Sequence, residues 1–128
     1  MDEFMMAAFD EARRGLREGG IPIGSVLVKG TKIIGRGHNK RVQEGNPILH
    51  AEIDCLQNAG RIRRYEDTVF YSTLMLYLYA GALVQFGIKR VIAGEAETFA
   101  GARQFVESHA VRVISERSLA CPPYLRFH

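Results

Sequence analysis

The stretch Ile21-Pro22-Ile23-Gly24-Ser25-Val26-Leu27-Val28-Lys29-Gly30-Thr31-Lys32-Ile33-Ile34-Gly35-Arg36-Gly37-His38-Asn39 decides the fold class. Pro22 lacks an amide donor and ends any helix arriving from the N-terminal side. Residues 25–29 form a short apolar strand, Gly30 a tight turn, and residues 32–37 a returning strand, so the stretch reads as a β-hairpin. Gly35 and Gly37 read as strand-end turns, because their spacing fits no phosphate loop. Residues 38–48, with Gly45, Asn46 and Pro47, read as a loop.

Residues 2–18 place Met5, Phe9, Ala12 and Leu16 on one side at helical spacing, with Asp2 as N-cap and Gly19-Gly20 as a stop. Glu11 stands in the adjoining stripe of Phe4, Ala8, Ala12 and Gly15. Downstream, the pattern predicts a helix over about 48–59 closed by Gly60, a strand within 67–74, and a helix over 79–86 stopped by Gly87. A strand at 90–93, a helix over 99–108 and a last strand at 111–114 follow. The order α-β-β-α-β-α-β-α-β predicts an α/β fold: a three-layer α/β/α sandwich around a mixed five-stranded sheet. In such sheets the active site lies at carboxyl ends of strands, beside helix N-termini.

With 128 residues, 47% hydrophobic and 24% charged, the chain is one ordinary domain, which excludes disorder, collagen and coiled coil. The longest apolar run, residues 74–84, is shorter than the roughly 18 residues of a membrane span. The acidic start Met-Asp-Glu-Phe has no basic n-region, so the expected location is the cytoplasm, with no membrane partner. The net charge of +3 is spread over separate groups (Arg13, Arg14, Arg17; Arg61, Arg63, Arg64; Lys89, Arg90) that read as solvated faces, so nucleic acid is not an expected partner. The two cysteines, Cys55 and Cys121, form no C-x-x-C and imply no disulfide framework.

His50-Ala51-Glu52 carries the chemistry. A neutral imidazole at a helix start can hold a metal. A carboxylate two residues on faces another side of the first turn and can reach a metal-bound water, the division of labour in zinc deaminases. In order along the chain stand Gly19-Gly20-Ile21-Pro22-Ile23-Gly24, Gly35-Arg36-Gly37-His38-Asn39, His50-Ala51-Glu52, Tyr71-Ser72-Thr73-Leu74 and Ala80-Gly81-Ala82. The series resembles the cytidine deaminase-like family, in its cytosine and tRNA-adenosine deaminase branch, and is most like the yeast-type and bacterial cytosine deaminases. The resemblance covers residues 1–114 and leaves 115–128 as a divergent tail. It implies zinc-dependent hydrolytic deamination of a nucleobase such as cytosine. Glu52 would be the proton shuttle, His50 the metal ligand, and Asn39 a hydrogen-bonding contact to the pyrimidine ring, with Ala51 also at the substrate. Phe99 is either an aromatic at the pocket mouth, as the resemblance implies, or a core contact of the fourth helix. His38 reads as structural and His109 as a surface residue.

One segment departs from the family. Between Ser72-Thr73-Leu74-Met75 and Ala80-Gly81-Ala82 the family carries Pro-Cys-x-x-Cys, whereas this chain carries the four residues Leu76-Tyr77-Leu78-Tyr79. Leucine binds no metal, and tyrosine does so only after losing a proton with a pKa near 10. Cys55 is five positions from His50, on another side of the helix; Asp54, at i+4, shares a face but lies deeper. Cys121 and His128 lie in the tail. The three protein ligands of a catalytic zinc are therefore not visible, and no cofactor is expected in this chain. Residues 115–128 also lack the closing helix of cytosine deaminases, since Pro122-Pro123 forbids a long helix and no acidic residue follows Glu116.

Two classes of function stand. One is a nucleobase deaminase; the other is a non-enzymatic degenerate or engineered relative that folds, pairs with itself and binds a base. Ancestry favours the first and residues 76–79 favour the second. The reading adopted is a cytosine deaminase-like scaffold that is inactive as it stands. Leu76, Tyr77, Leu78 and Tyr79 would fill the metal's space, and the apolar run 74–83 would pair the chain as a homodimer.

Overall fold

The computed structural model describes residues 2–74, 77–94 and 100–115. Helix α1 (Glu3–Arg17) is followed by strands β1 (Gly24–Lys29) and β2 (Lys32–His38), then helix α2 (Ala51–Ala59) and strand β3 (Thr68–Ser72). Helix α3 (Tyr77–Phe86), strand β4 (Arg90–Ala93), helix α4 (Ala100–Ser108) and strand β5 (Arg112–Ser115) complete the order. The sheet runs β2-β1-β3-β4-β5. β1 is antiparallel to both β2 and β3, while β3–β4 and β4–β5 are parallel, so the sheet is mixed as expected. The parallel pairs need crossovers, which α3 and α4 supply.

Side chains alternate across the strands and divide the core in two. Val26, Val28 and Tyr71 pack against Met5, Ala8, Phe9 and Ala12 of α1 on one face. Leu27, Phe70, Val91 and Val113 pack on the other face against Cys55 and Leu56 of α2, Leu83 of α3 and Val106 of α4. The result is the three-layer sandwich. No helix among the described residues is long and apolar enough to cross a membrane.

Three details differ from expectation. Gly35 and Gly37 are not turns. A Cβ on Gly37 would lie 2.4 Å from the Cys55 amide nitrogen, and one on Gly35 2.6 Å from the Ala59 Cβ, so the glycines let α2 lie directly on β2. Helix α2 begins at Ala51 rather than near residue 48. Asn46 Oδ1 accepts the Ile48 amide at 3.1 Å and the His50 amide bonds back to Ile48 O at 2.9 Å, a local turn that competes with the helix. Helix α3 begins at Tyr77, two residues earlier than expected.

Three helices end in the same motif. After α1, α3 and α4, a 6→1 bond (Gly20 to Gly15, Ile88 to Leu83, Val111 to Val106) pairs with a 5→2 bond, the Schellman arrangement. The left-handed residue is Gly19 (φ 84°) after α1 and Gly87 (φ 80°) after α3, but Ala110 (φ 65°) after α4.

Candidate functional site

The elements converge at one end of the sheet. The Thr73 amide donates to Gly24 O at 3.0 Å while Thr73 Oγ1 accepts the Gly24 amide at 3.1 Å, which ties the end of β3 to the start of β1. The Asn39 amide donates to Ile23 O at 3.0 Å, and the Lys40 amide to Leu49 O at 3.0 Å. The residues after β2 thus lie beside those leading into α2. Ala51, fully buried, packs with Ile23 and Leu74 and seats the α2 N-terminus on this end of the sheet. Asn39, His50, Ala51 and Glu52 are therefore brought to one end of the sheet. Phe99 and the tail lie outside the described residues, as do the side chains of Leu76, Tyr77, Leu78 and Tyr79.

His50 is the N-cap residue of α2, with extended backbone (φ −71°, ψ 165°), but its side chain does not cap the helix. Its Nδ1 is buried with no hydrogen-bond partner among the described residues. Burial, and then the nearby Arg41 charge, hold its pKa below the ordinary value, which favours the neutral, metal-binding imidazole. Glu52 is 1% exposed, and its Oε1 also lacks a partner among the described residues. Burial pushes its carboxyl up to about 7. A carboxyl poised there can take and return a proton at neutral pH. Two orphaned polar atoms in one helix start are unusual, because buried polar atoms are nearly always satisfied.

The described donors do not complete a zinc site. Among the described residues no group of three or more His, Cys, Asp or Glu could hold a metal. Asp54 is engaged elsewhere: Oδ2 accepts the His38 amide at 3.0 Å and Oδ1 accepts Lys40 Nζ at 3.1 Å. Cys55 is fully buried in the core, where desolvation and then the Asp54 charge push its thiol up, away from the thiolate that binds metals. Among the described residues His50 is joined by too few donors to hold zinc, and they support no step through it.

Asn39 is 1% exposed, and its Oδ1 accepts the Arg41 amide at 3.1 Å, so part of the side chain braces its own turn. Sequence reading missed the cluster behind it. His38 lies between Glu11 of α1 and Glu18, the C-cap of that helix, and Arg36 Nε donates to Glu11 Oε2 at 2.7 Å. The available signal was Glu11, a carboxylate set in an apolar helix stripe.

Residues 1–95 match the family described as the cytidine and deoxycytidylate deaminase zinc-binding region. A cytosine deaminase of Candida albicans is 36% identical over 121 residues, which cover 91% of this chain and 81% of that one. A tRNA-specific adenosine deaminase of Streptococcus pyogenes is 38% identical over 104 residues, covering 77% of this chain and 65% of the relative, just under two thirds of its length. A solved structure from work on A-to-I editing by tRNA:A34 deaminases at the wobble position of transfer RNA superimposes with a TM-score of 0.75 at 28% identity, over 88% of this chain and 96% of that one.

Proposed function

The chain belongs to the cytidine and deoxycytidylate deaminase family, and from that membership we propose that it is a cytosine deaminase-like scaffold that binds a pyrimidine base without deaminating it. Asn39, Ala51 and Phe99 would receive the base, and Glu52 keeps the environment of the family's proton carrier. The likeness to a cytosine deaminase extends further along this chain than the likeness to tRNA-specific adenosine deaminases, which supports a free base as ligand. We place the protein in the cytoplasm.

One observation carries the loss of activity. Among the described residues no group of three His, Cys, Asp or Glu forms around His50, where a catalytic zinc needs three protein ligands, and the segment 76–79 contains no cysteine. The atoms of His50 and Glu52 that lack partners among the described residues are then remnants of a site built for a metal-bound water. Deaminase domain and tail are proposed to divide at residue 114. Self-pairing through the apolar run 74–83 is proposed as well; Leu74 and Leu83 at its ends are buried within the chain, and the exposed Phe86 lies on the same helix α3.

Elemental analysis of the purified chain, paired with cytosine calorimetry and a turnover assay, tests the reading. The expected result is no stoichiometric zinc, cytosine binding and no uracil formed. Replacing residues 76–79 with Pro-Cys-Tyr-Leu-Cys should then restore about one zinc per chain. One zinc per chain together with turnover in the unaltered protein would refute it.

A further inference from the structure

His38 is 2% exposed, and its ring nitrogens face carboxylates of α1 and its C-cap: Nδ1 lies 3.0 Å from Glu11 Oε1 and Nε2 2.8 Å from Glu18 Oε1. Each ring nitrogen therefore has a carboxylate oxygen within hydrogen-bond distance. Both nitrogens of a buried imidazole need partners, and Glu11 satisfies only one of them. The second grip, on Glu18, reaches the C-cap of α1.

That grip continues into the loop bearing Asn39. Glu18 Oε1 also accepts Gln43 Nε2 at 3.1 Å, and the same Nε2 lies 3.3 Å from Asn39 O. His38, Glu18, Gln43 and Asn39 close a ring of hydrogen bonds around the first turn of the loop. The other charges facing the ring are accounted for. Arg36 holds Glu11 at 2.7 Å, Arg14 Nε lies 3.6 Å from Glu18 Oε2, and Asp54 meets the His38 backbone amide while Lys40 holds its other oxygen. Glu18's carboxyl is held below its ordinary range, first by the His38 bond and then by Gln43. The fit is close on both sides: a Cβ on Gly15 would lie 3.3 Å from His38 Cδ2, and one on Gly20 2.3 Å from Gln43 Oε1.

We propose that His38 is a positioning residue for the base site, which holds Asn39 and residues 40–46 beside the residues leading into α2 by gripping Glu11 and Glu18 at once. The proposal rests on the base-binding reading of Asn39. It assigns Glu18, a surface carboxylate on another element, a part in base affinity that no contact with the base would show.

Glu18 is the place to test it, because its side chain is 39% exposed and the buried Glu11–His38–Arg36 half stays in place without it. In the full chain, Glu18→Ala should speed hydrogen exchange at the Asn39 and Lys40 amides about tenfold, the loss of one charge-assisted bond. Val26 and Phe70 amides in the sheet should keep their protection. Calorimetry should show cytosine binding weakened by a similar factor, and Glu18→Gln, which restores an acceptor oxygen, should recover most of both. Unchanged Asn39 and Lys40 exchange in Glu18→Ala would overturn the proposal, as would equal acceleration in loop and sheet. If the unaltered chain takes up no cytosine, the base-site reading is what fails, and the exchange data alone decide whether His38 and Glu18 position the loop.

Discussion

Glu52 should make the protein less stable as pH rises, and Glu52→Gln should remove that loss. Its carboxyl is buried, with Oε1 unpartnered among the described residues, and its pKa is pushed up to about 7 from 4.5. Between these values the folded chain keeps a proton that the unfolded chain releases. The folded state then binds more protons, so stability falls as pH rises through this window. The loss is absent below about 4.5 and complete above about 7. The difference between 4.5 and about 7, at 1.36 kcal/mol per pH unit, amounts to about 3 kcal/mol. Glutamine keeps the shape and cannot ionise. Near pH 4.5 it and the protonated carboxyl both bury a neutral polar head, so the two proteins should differ little. At pH 8 the Glu52→Gln protein should be more stable by about 3 kcal/mol, read from urea midpoints at a shared m-value. A stability gap of the same size at both pH values would come from packing rather than ionisation and would rule out a buried, protonated Glu52 as its source. A gap of this size would also mean that the chain retains a destabilising carboxyl at the position proposed for the proton carrier, the kind of conflict between stability and activity that functional sites carry.

Other expectations follow from single contacts. Ala110→Gly relieves the left-handed residue that ends α4 and should add about 1 kcal/mol, raising Tm by roughly 3–5 °C in calorimetry; an unchanged Tm would mean that Ala110 is not strained. Gly24→Ala places a Cβ 2.1 Å from Ala8 O and 2.5 Å from the Ala12 nitrogen, both α1 backbone, so α1 must lift from β1. Circular dichroism should show a cost of about 3 kcal/mol or more, or no folded protein. Light scattering at micromolar concentration should give twice the 14.3 kDa chain mass, and the single-chain mass would count against self-pairing.

The hairpin around Gly30 could be read from the chain because strand alternation and a tight turn are local signals, and the flanking glycines mark where helices stop. The same logic misplaced the start of α2. There Asn46 captures the Ile48 amide, a choice between two local hydrogen bonds that hydrophobic spacing does not register. The site divides along the same line. His50-Ala51-Glu52 is contiguous, so one helix start delivers all three. Spacing alone put Asp54 on a face with His50, yet Asp54 is taken by His38 and Lys40 from β2 and its loop. The cluster of Glu11, Glu18 and His38 joins residues 20 and 27 positions apart, and no periodicity within α1 or β2 announces it. Its trace is a mismatch: Glu11 occupies an apolar stripe, where an ionised carboxylate costs several kcal/mol unless another element brings it donors. Arg36 and His38 alternate on β2 and both reach it, so the donors come from the hairpin that sets the fold. The residue that violated the helix pattern therefore pointed to the strand that packs beside it.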